Sequence, residues 1–224
     1  NKVYRSTDNG ITWKEIQLNL RDRPLNGLVS VGTTLFAYNE DEILRSSDNG
    51  DHWTAVFQGI TNSQIAGLTV SDSIVIASTQ SDGVFRSSDK GITWQKVTPE
   101  FLMQIYPSVY TVMASGAHLF AGTLSNSNQT GSKLYRSNDN GENWRAFHTG
   151  LYFAGYISCM AESDTLLYAG MLIPGFTGPT QGAVYRSADT GKSWSAISKG
   201  VESQESILHR VIGGLAVKDN SLFV

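Results

Sequence analysis

The chain has a single cysteine among its 224 residues, so no internal disulfide can hold the fold together. Cys159 sits in the apolar run Tyr156-Ile157-Ser158-Cys159-Met160, where a buried, inert thiol is expected rather than a nucleophile. No stretch of 18 apolar residues is present, which excludes a membrane-spanning helix. No secretory leader is recognisable, and the first residue is Asn1 rather than methionine, which leaves export open. Clustered basic charge is also missing. Lys and Arg total 17 against 20 Asp and Glu, a net charge of -3, so neither nucleic acid nor membrane insertion is expected. The histidines, His52, His118, His148 and His209, show no ligand spacing with one another or with Cys159, so no metal or other cofactor is expected.

What is plentiful is glycine, 22 residues in company with many Ser, Thr and Asn. Such a composition means many turns between short strands, an all-β chain. Hydrophobic residues at 40% and charged ones at 17% are enough for a packed core.

The chain repeats itself. Five segments match: Ser6-Thr-Asp8-Asn-Gly10-Ile-Thr-Trp13, Ser46-Ser-Asp48-Asn-Gly50-Asp-His-Trp53, Ser87-Ser-Asp89-Lys-Gly91-Ile-Thr-Trp94, Ser137-Asn-Asp139-Asn-Gly141-Glu-Asn-Trp144 and Ser187-Ala-Asp189-Thr-Gly191-Lys-Ser-Trp194. Their aspartates are 40, 41, 50 and 50 residues apart, and all five tryptophans of the protein fall inside the motif. An arginine precedes each (Arg5, Arg45, Arg86, Arg136, Arg186), a repeat position and therefore structural. A short polar segment between two apolar runs reads as a hairpin loop. Glycine permits positive φ there, and the aspartate is placed to accept loop N–H groups. Tryptophan opens the returning strand, where its ring can bury against a neighbouring sheet.

A second pattern lies upstream of each box, in strands such as Leu35-Phe-Ala-Tyr38, Ile74-Val-Ile-Ala-Ser78, Leu119-Phe-Ala-Gly122, Leu167-Tyr-Ala-Gly170 and Leu222-Phe-Val224. One period therefore holds four strands, the content of a propeller blade. These motifs resemble those of the Asp-box, or BNR, β-propellers, known from sialidases, xyloglucanase-type glycosidases, sortilin ectodomains and secreted bacterial repeat proteins. The resemblance covers nearly the whole chain. It implies a propeller of four-stranded antiparallel blades, often exported to the periplasm, cell surface or medium, in which the box lies away from the ligand face.

The phase of the repeat predicts a half-blade over 1–25, blades over about 26–57, 64–98, 109–148 and 157–198, and a half-blade over 207–224. Pairing of the two halves gives a closed five-blade ring without free edges. Otherwise the chain is a piece of a propeller with six to eight blades.

One face should carry the connections between strands two and three and between blades. Two of these are enlarged, Thr123 to Lys133 and Met171 to Ala183, and long loops on a rigid scaffold are where binding residues gather. Phe101, Tyr106, Tyr152, Tyr156 and Phe176 add aromatic rings to that face, a stacking surface for sugars or an apolar peptide, or else a plug for the channel. Arg21, Arg23 and Arg210 fall on the same face, where a sialidase would need an arginine cluster. The Arg-Ile-Pro sequence of that family is absent. Carboxylates for a glycosidase exist in Glu40, Asp41, Glu42, Asp82, Glu100, Glu202 and Glu205, but nothing in one sequence pairs them. The expected function is a non-catalytic, exported binding or scaffold propeller recognising a glycan or a protein; the alternative is a glycoside hydrolase.

Overall fold

The computed structural model describes residues 2–18, 20, 23–56, 63–98, 108–123, 133–146, 150–151, 156–173, 181–197, 212, 214–218 and 221–224. Every regular element among them is a β-strand. The first blade joins β3 (Gly27–Val31), β4 (Thr34–Tyr38), β5 (Ile43–Ser46) and β6 (Thr54–Ala55). The second comprises β7 (Ile65–Ser71), β8 (Ile74–Thr79), β9 (Gly83–Ser87) and β10 (Gln95–Lys96). The third comprises β11 (Val109–Ser115), β12 (His118–Thr123), β13 (Leu134–Ser137) and β14 (Arg145–Ala146). The fourth comprises β15 (Tyr156–Ser163), β16 (Leu166–Ile173), β17 (Gln181–Ser187) and β18 (Ser195–Ala196). Within each, strands pair in chain order and antiparallel.

These sheets stack face to face. β8 is buried at all six positions, because an interior blade has a neighbour on both faces and cannot show the alternation of a sheet with one wet side. Each core lies between blades: Phe36 and Ile43 of the first pack with Ile65, Val75 and Phe85 of the second, and Phe120 and Leu134 of the third with Ile157, Ala169 and Tyr185 of the fourth. First strands lie beside first strands, β7 against β3 and β11, and β15 against β11, while the two-residue fourth strands are exposed at the rim. β7, β11 and β15 each carry a bulge near their start, at Ala66, Tyr110 and Ser158, so the inner strands share a local increase in twist.

The half-blades are β1 (Lys2–Arg5) with β2 (Lys14–Gln17), and β19 (Ala216–Lys218) with β20 (Ser221–Phe223). They form separate two-stranded sheets. Among the described residues, no ladder joins the two into the fifth blade of a closed ring. Each half is anchored on the blade next to it in sequence: Val3 and Ile16 join the core of the first blade, and β19 lies against β15 of the fourth.

The enlarged connections are shorter than the sequence pattern implies. β16 and β17 continue pairing out to Ile173 and Gln181, so Met171 and Leu172 are buried strand residues and not loop. In the third blade Thr123 and Lys133 close the connection by hydrogen bonds in both directions. Among the described residues, no helix is long and apolar enough to cross a membrane.

Candidate functional site

The two ends of each blade differ in chemistry. At one end lie the Asp boxes. Thr12 N–H donates to Asp8 Oδ1 at 2.9 Å, His52 N–H to Asp48 at 2.9 Å, Thr93 N–H to Asp89 at 2.9 Å, Asn143 N–H to Asp139 at 2.8 Å and Ser193 N–H to Asp189 at 2.9 Å. The second carboxylate oxygen takes the side chain of that same residue in every box. The serine works in both directions: Ser87 Oγ donates to Asp89 at 2.7 Å and accepts Gly91 N–H at 2.8 Å. The residue between aspartate and glycine is itself left-handed, as at Lys90 with φ of 56°, followed by Gly91 at 81°. A Cβ on Gly91 would also collide with the Phe36 ring of the preceding blade, so this glycine is fixed by packing as well as by φ.

These bonds favour the ionised carboxylates. Thr12 and Ser6 hold Asp8 down at about 2, and Ser193 and Ser187 hold Asp189 there too. At Asp89 burial pushes upward but is outweighed by Thr93, again giving about 2. A carboxyl with a folded value below its ordinary 3.8 stabilises the fold fully above that value and progressively less as the pH falls toward the folded one. Acid titration followed by circular dichroism should therefore show stability falling between about pH 4 and pH 2. A flat response across that window would contradict the bracing role.

Arginine and tryptophan tie the boxes to the neighbouring blade. Arg5 Nη1 donates to Asn49 O, Arg45 Nε to Lys90 O at 2.9 Å, Arg86 Nε to Asn140 O at 2.7 Å and Arg136 Nη1 to Thr190 O at 2.7 Å. The acceptor is always the carbonyl of the left-handed residue after the next box aspartate. Asp51 and Glu142 add carboxylates 2.8 Å and 3.6 Å from Arg5 and Arg86. Trp144 and Trp194 are buried between blades, and Trp53 and Trp94 are half-buried there. Trp13 is 61% exposed. Four indoles donate to the carbonyl of their own box glycine, whereas Trp94 reaches Val56 O of the preceding blade at 3.1 Å. The boxes are thus occupied with holding blades.

The opposite end carries the connections between strands two and three and between blades. Arg23 pairs there with Glu40 at 3.0 Å and Asp41 at 3.3 Å, and Gln64 Nε2 donates to Glu40. Asn39 Oδ1 accepts Asp41 N–H and Glu42 N–H, each at 2.9 Å, an Asx turn that fixes both acids. Asp82 lies 3.4 Å from Lys96 Nζ. Ser108 Oγ donates to Gln80 O across to the previous blade. At the start of the inner strands, Tyr110 and Tyr156 bring their ring centroids within 5.5 Å at 40°. Burial raises the Tyr156 phenol, and Tyr110 adds to the shift. Tyr110 occupies the bulge of β11, which frees it from the ladder and turns it toward its neighbour. Its signal in the sequence was only its place at the end of an aromatic connection.

Of the other candidates on this face, Phe101, Tyr106, Tyr152, Phe176, Arg21 and Arg210 lie outside the described residues, as do Glu100, Glu202 and Glu205. Cys159 is partly buried, with its thiol raised by burial. No group of three His, Cys, Asp or Glu residues able to hold a metal occurs among the described residues.

The family described as Sortilin, neurotensin receptor 3 matches residues 41–170, and the BNR/Asp-box repeat matches residues 4–15. No curated protein matches the sequence. In fold the chain is similar to the GH74 xyloglucanase from Xanthomonas campestris, with a TM-score of 0.64 and 16% identity over 96% of this chain and 38% of that one. It is similar to the GH74 enzyme of Niastella koreensis, TM-score 0.59 and 16% identity over 87% of this chain and 34% of that one. A third likeness is YCF48 from Cyanidioschyzon merolae, TM-score 0.56 and 14% identity over 96% and 81%. The chain spans 38% and 34% of the two GH74 proteins, and at such identities the likeness is one of fold alone. Five braced Asp boxes, four-stranded antiparallel blades and a family match over more than half of the 224 residues lead to one conclusion: the chain belongs to the sortilin family of Asp-box β-propellers.

Proposed function

We propose that this protein is a non-catalytic binding propeller, working outside the cytoplasm, that recognises a glycan or a protein segment through the face carrying its enlarged connections. The observation that carries the reading is the Tyr110–Tyr156 pair. Two aromatic rings from adjacent blades meet at the start of the inner strands, with rings 5.5 Å apart and both side chains only partly buried. Such a surface stacks on a sugar ring or an apolar side chain. Both long connections leave from the same blades beside the pair, after Thr123, the partner of Val109, and after Ile173, next to the partner of Tyr156. We place Tyr152, Phe176, Phe101 and Tyr106 around it as further apolar contacts, and Arg21, Arg23 and Arg210 as polar ones. The partner classes follow the chemistry of the surface and the family's own description as a receptor. The described carboxylates with displaced titration are box aspartates, held low by their own loops, the opposite of what a proton-donating glycosidase acid needs.

Oligosaccharide and peptide arrays probed with three proteins test this: wild type, a Tyr110→Ala/Tyr156→Ala double variant, and a variant with both long connections cut to the length of 39–42. Wild type should bind a defined subset. Both variants should lose that signal while melting within a few degrees of wild type. Retained binding by both variants, or release of reducing sugar by wild type, overturns the reading.

A further inference from the structure

The contacts between inner strands use the same two positions at each junction of two blades. On the leading side stands the residue paired with Phe36, Ile76 or Phe120 of the second strand, which is Val29, Thr69 or Met113. On the following side stands the residue paired with Ala77, Ala121 or Ala169, which is Leu68, Val112 or Met160. The first junction therefore holds Val29 and Leu68, the second Thr69 and Val112, and the third two methionines, Met113 and Met160, packed against its core. At the second junction Thr69 Oγ1 also accepts Ala114 N–H at 3.1 Å. Met113 stands in the place of Thr69, and a thioether accepts hydrogen bonds only weakly, so dispersion contacts hold the third junction at this point.

Both methionines are only partly buried, whereas Met171 in the same core is 1% exposed. They present sulfur to solvent from inside an apolar contact. Their strands are those of the tyrosine pair: Tyr110 lies three residues before Met113 on β11, and Tyr156 four before Met160 on β15. Cys159 is next to Met160 in the chain, but burial raises its thiol, which keeps the reactive thiolate scarce. A thioether has no proton to lose, so access alone decides its oxidation.

We propose that Met113 and Met160 form an oxidation site, through which a peroxide loosens the junction of the third and fourth blades beneath the tyrosine pair. A sulfur lone pair attacks one oxygen of hydrogen peroxide, and the O–O bond breaks as the S–O bond forms. The departing hydroxide takes the proton of the transferred hydroxyl and leaves as water. The thioether is thereby oxidised to a sulfoxide and the peroxide reduced to water. The sulfoxide is a polar group placed against the core of Phe120, Ile157 and Tyr185, where it costs stability unless water reaches it. Admitting that water separates β11 from β15, and the tyrosines move with their strands. The consequence for ligand binding rests on the reading of the binding face given above; the oxidation and the loosening do not.

Treatment of the wild type with hydrogen peroxide, followed by peptide mass spectrometry and hydrogen exchange, tests the proposal. Met113 and Met160 should each gain one oxygen at least about tenfold faster than Met171. Exchange in β11 and β15 should then rise at least about tenfold while β4 and β5 stay unchanged, and methionine sulfoxide reductase should reverse both changes. A Met113→Leu/Met160→Leu variant, apolar and similar in volume, should keep wild-type exchange in β11 and β15 with or without peroxide. Oxidation no faster than at Met171 overturns the proposal. So does unchanged exchange in the doubly oxidised protein, or a peroxide response that the leucine variant retains. Raised exchange with unchanged affinity for the array-selected ligand supports the oxidation site and overturns the reading of Tyr110 and Tyr156 as the binding surface.

Discussion

Replacing Trp144 by alanine should lower the unfolding free energy by about 3–5 kcal/mol, while the same change at Trp13 should cost less than about 1 kcal/mol. Both residues occupy one position of one motif, and both indoles donate to the carbonyl of their own box glycine. Local structure is thus the same, and the difference lies in packing. Trp144 is 5% exposed and joins Ile76, Leu119 and Tyr135 between two blades. Truncation leaves a void that rigid, hydrogen-bonded sheets cannot collapse to fill. Trp13 is 61% exposed and leaves no such void. Trp94, half-buried and bonded to Val56 O, should fall between the two. Urea denaturation provides the comparison. Equal losses at Trp13 and Trp144 would mean that the ring serves its own hairpin rather than the blade contact.

Arg136→Ala should cost about 2–3 kcal/mol, and Arg186→Ala, at an exposed position, less than about 0.5 kcal/mol. The Arg136 guanidinium is nearly buried and reaches both the carbonyl and the hydroxyl of Thr190 on the next blade. Its removal strands a carbonyl in a place water reaches poorly, and a charge-assisted bond is worth more than a neutral one. A lysine at this position should recover little, because a single ammonium cannot present the guanidinium's fork. Because blades contact only their neighbours, the loss should appear as early unfolding of the third and fourth blades. Hydrogen exchange should then rise in β13 and β17 before it rises in β4.

What was legible in the sequence was what is local or repeated. Ser-x-Asp-x-Gly encodes its hairpin within eight residues, and the four-strand period encodes the blade. The unbroken burial of Ile74–Thr79 could be read as a strand with sheets on both faces. The arginine clasp was hidden because donor and acceptor stand 44 to 54 residues apart, and a repeated arginine shows that a role exists without showing its partner. Ring closure was left open between five blades and a piece of a larger propeller for a related reason: complementary phase is necessary for two half-blades to pair, but pairing depends on the curvature of the row, which no repeat motif states. The extent of the Met171–Ala183 connection was overread because Gly170 and the prolines after it look like loop, whereas β16 and β17 simply continue their ladder to Ile173. Tyr110 escaped selection since a bulge, not the residue type, turns it toward Tyr156.

The most direct test of the account is a titration of the array-selected glycan or peptide into wild type and into the Tyr110→Ala/Tyr156→Ala variant. The account predicts a dissociation constant raised at least about tenfold, the loss of roughly 1.4 kcal/mol that removal of a stacking contact entails, with the melting temperature unchanged. An unchanged dissociation constant in the variant would contradict it, as would conversion of the ligand to products by the wild type during the titration.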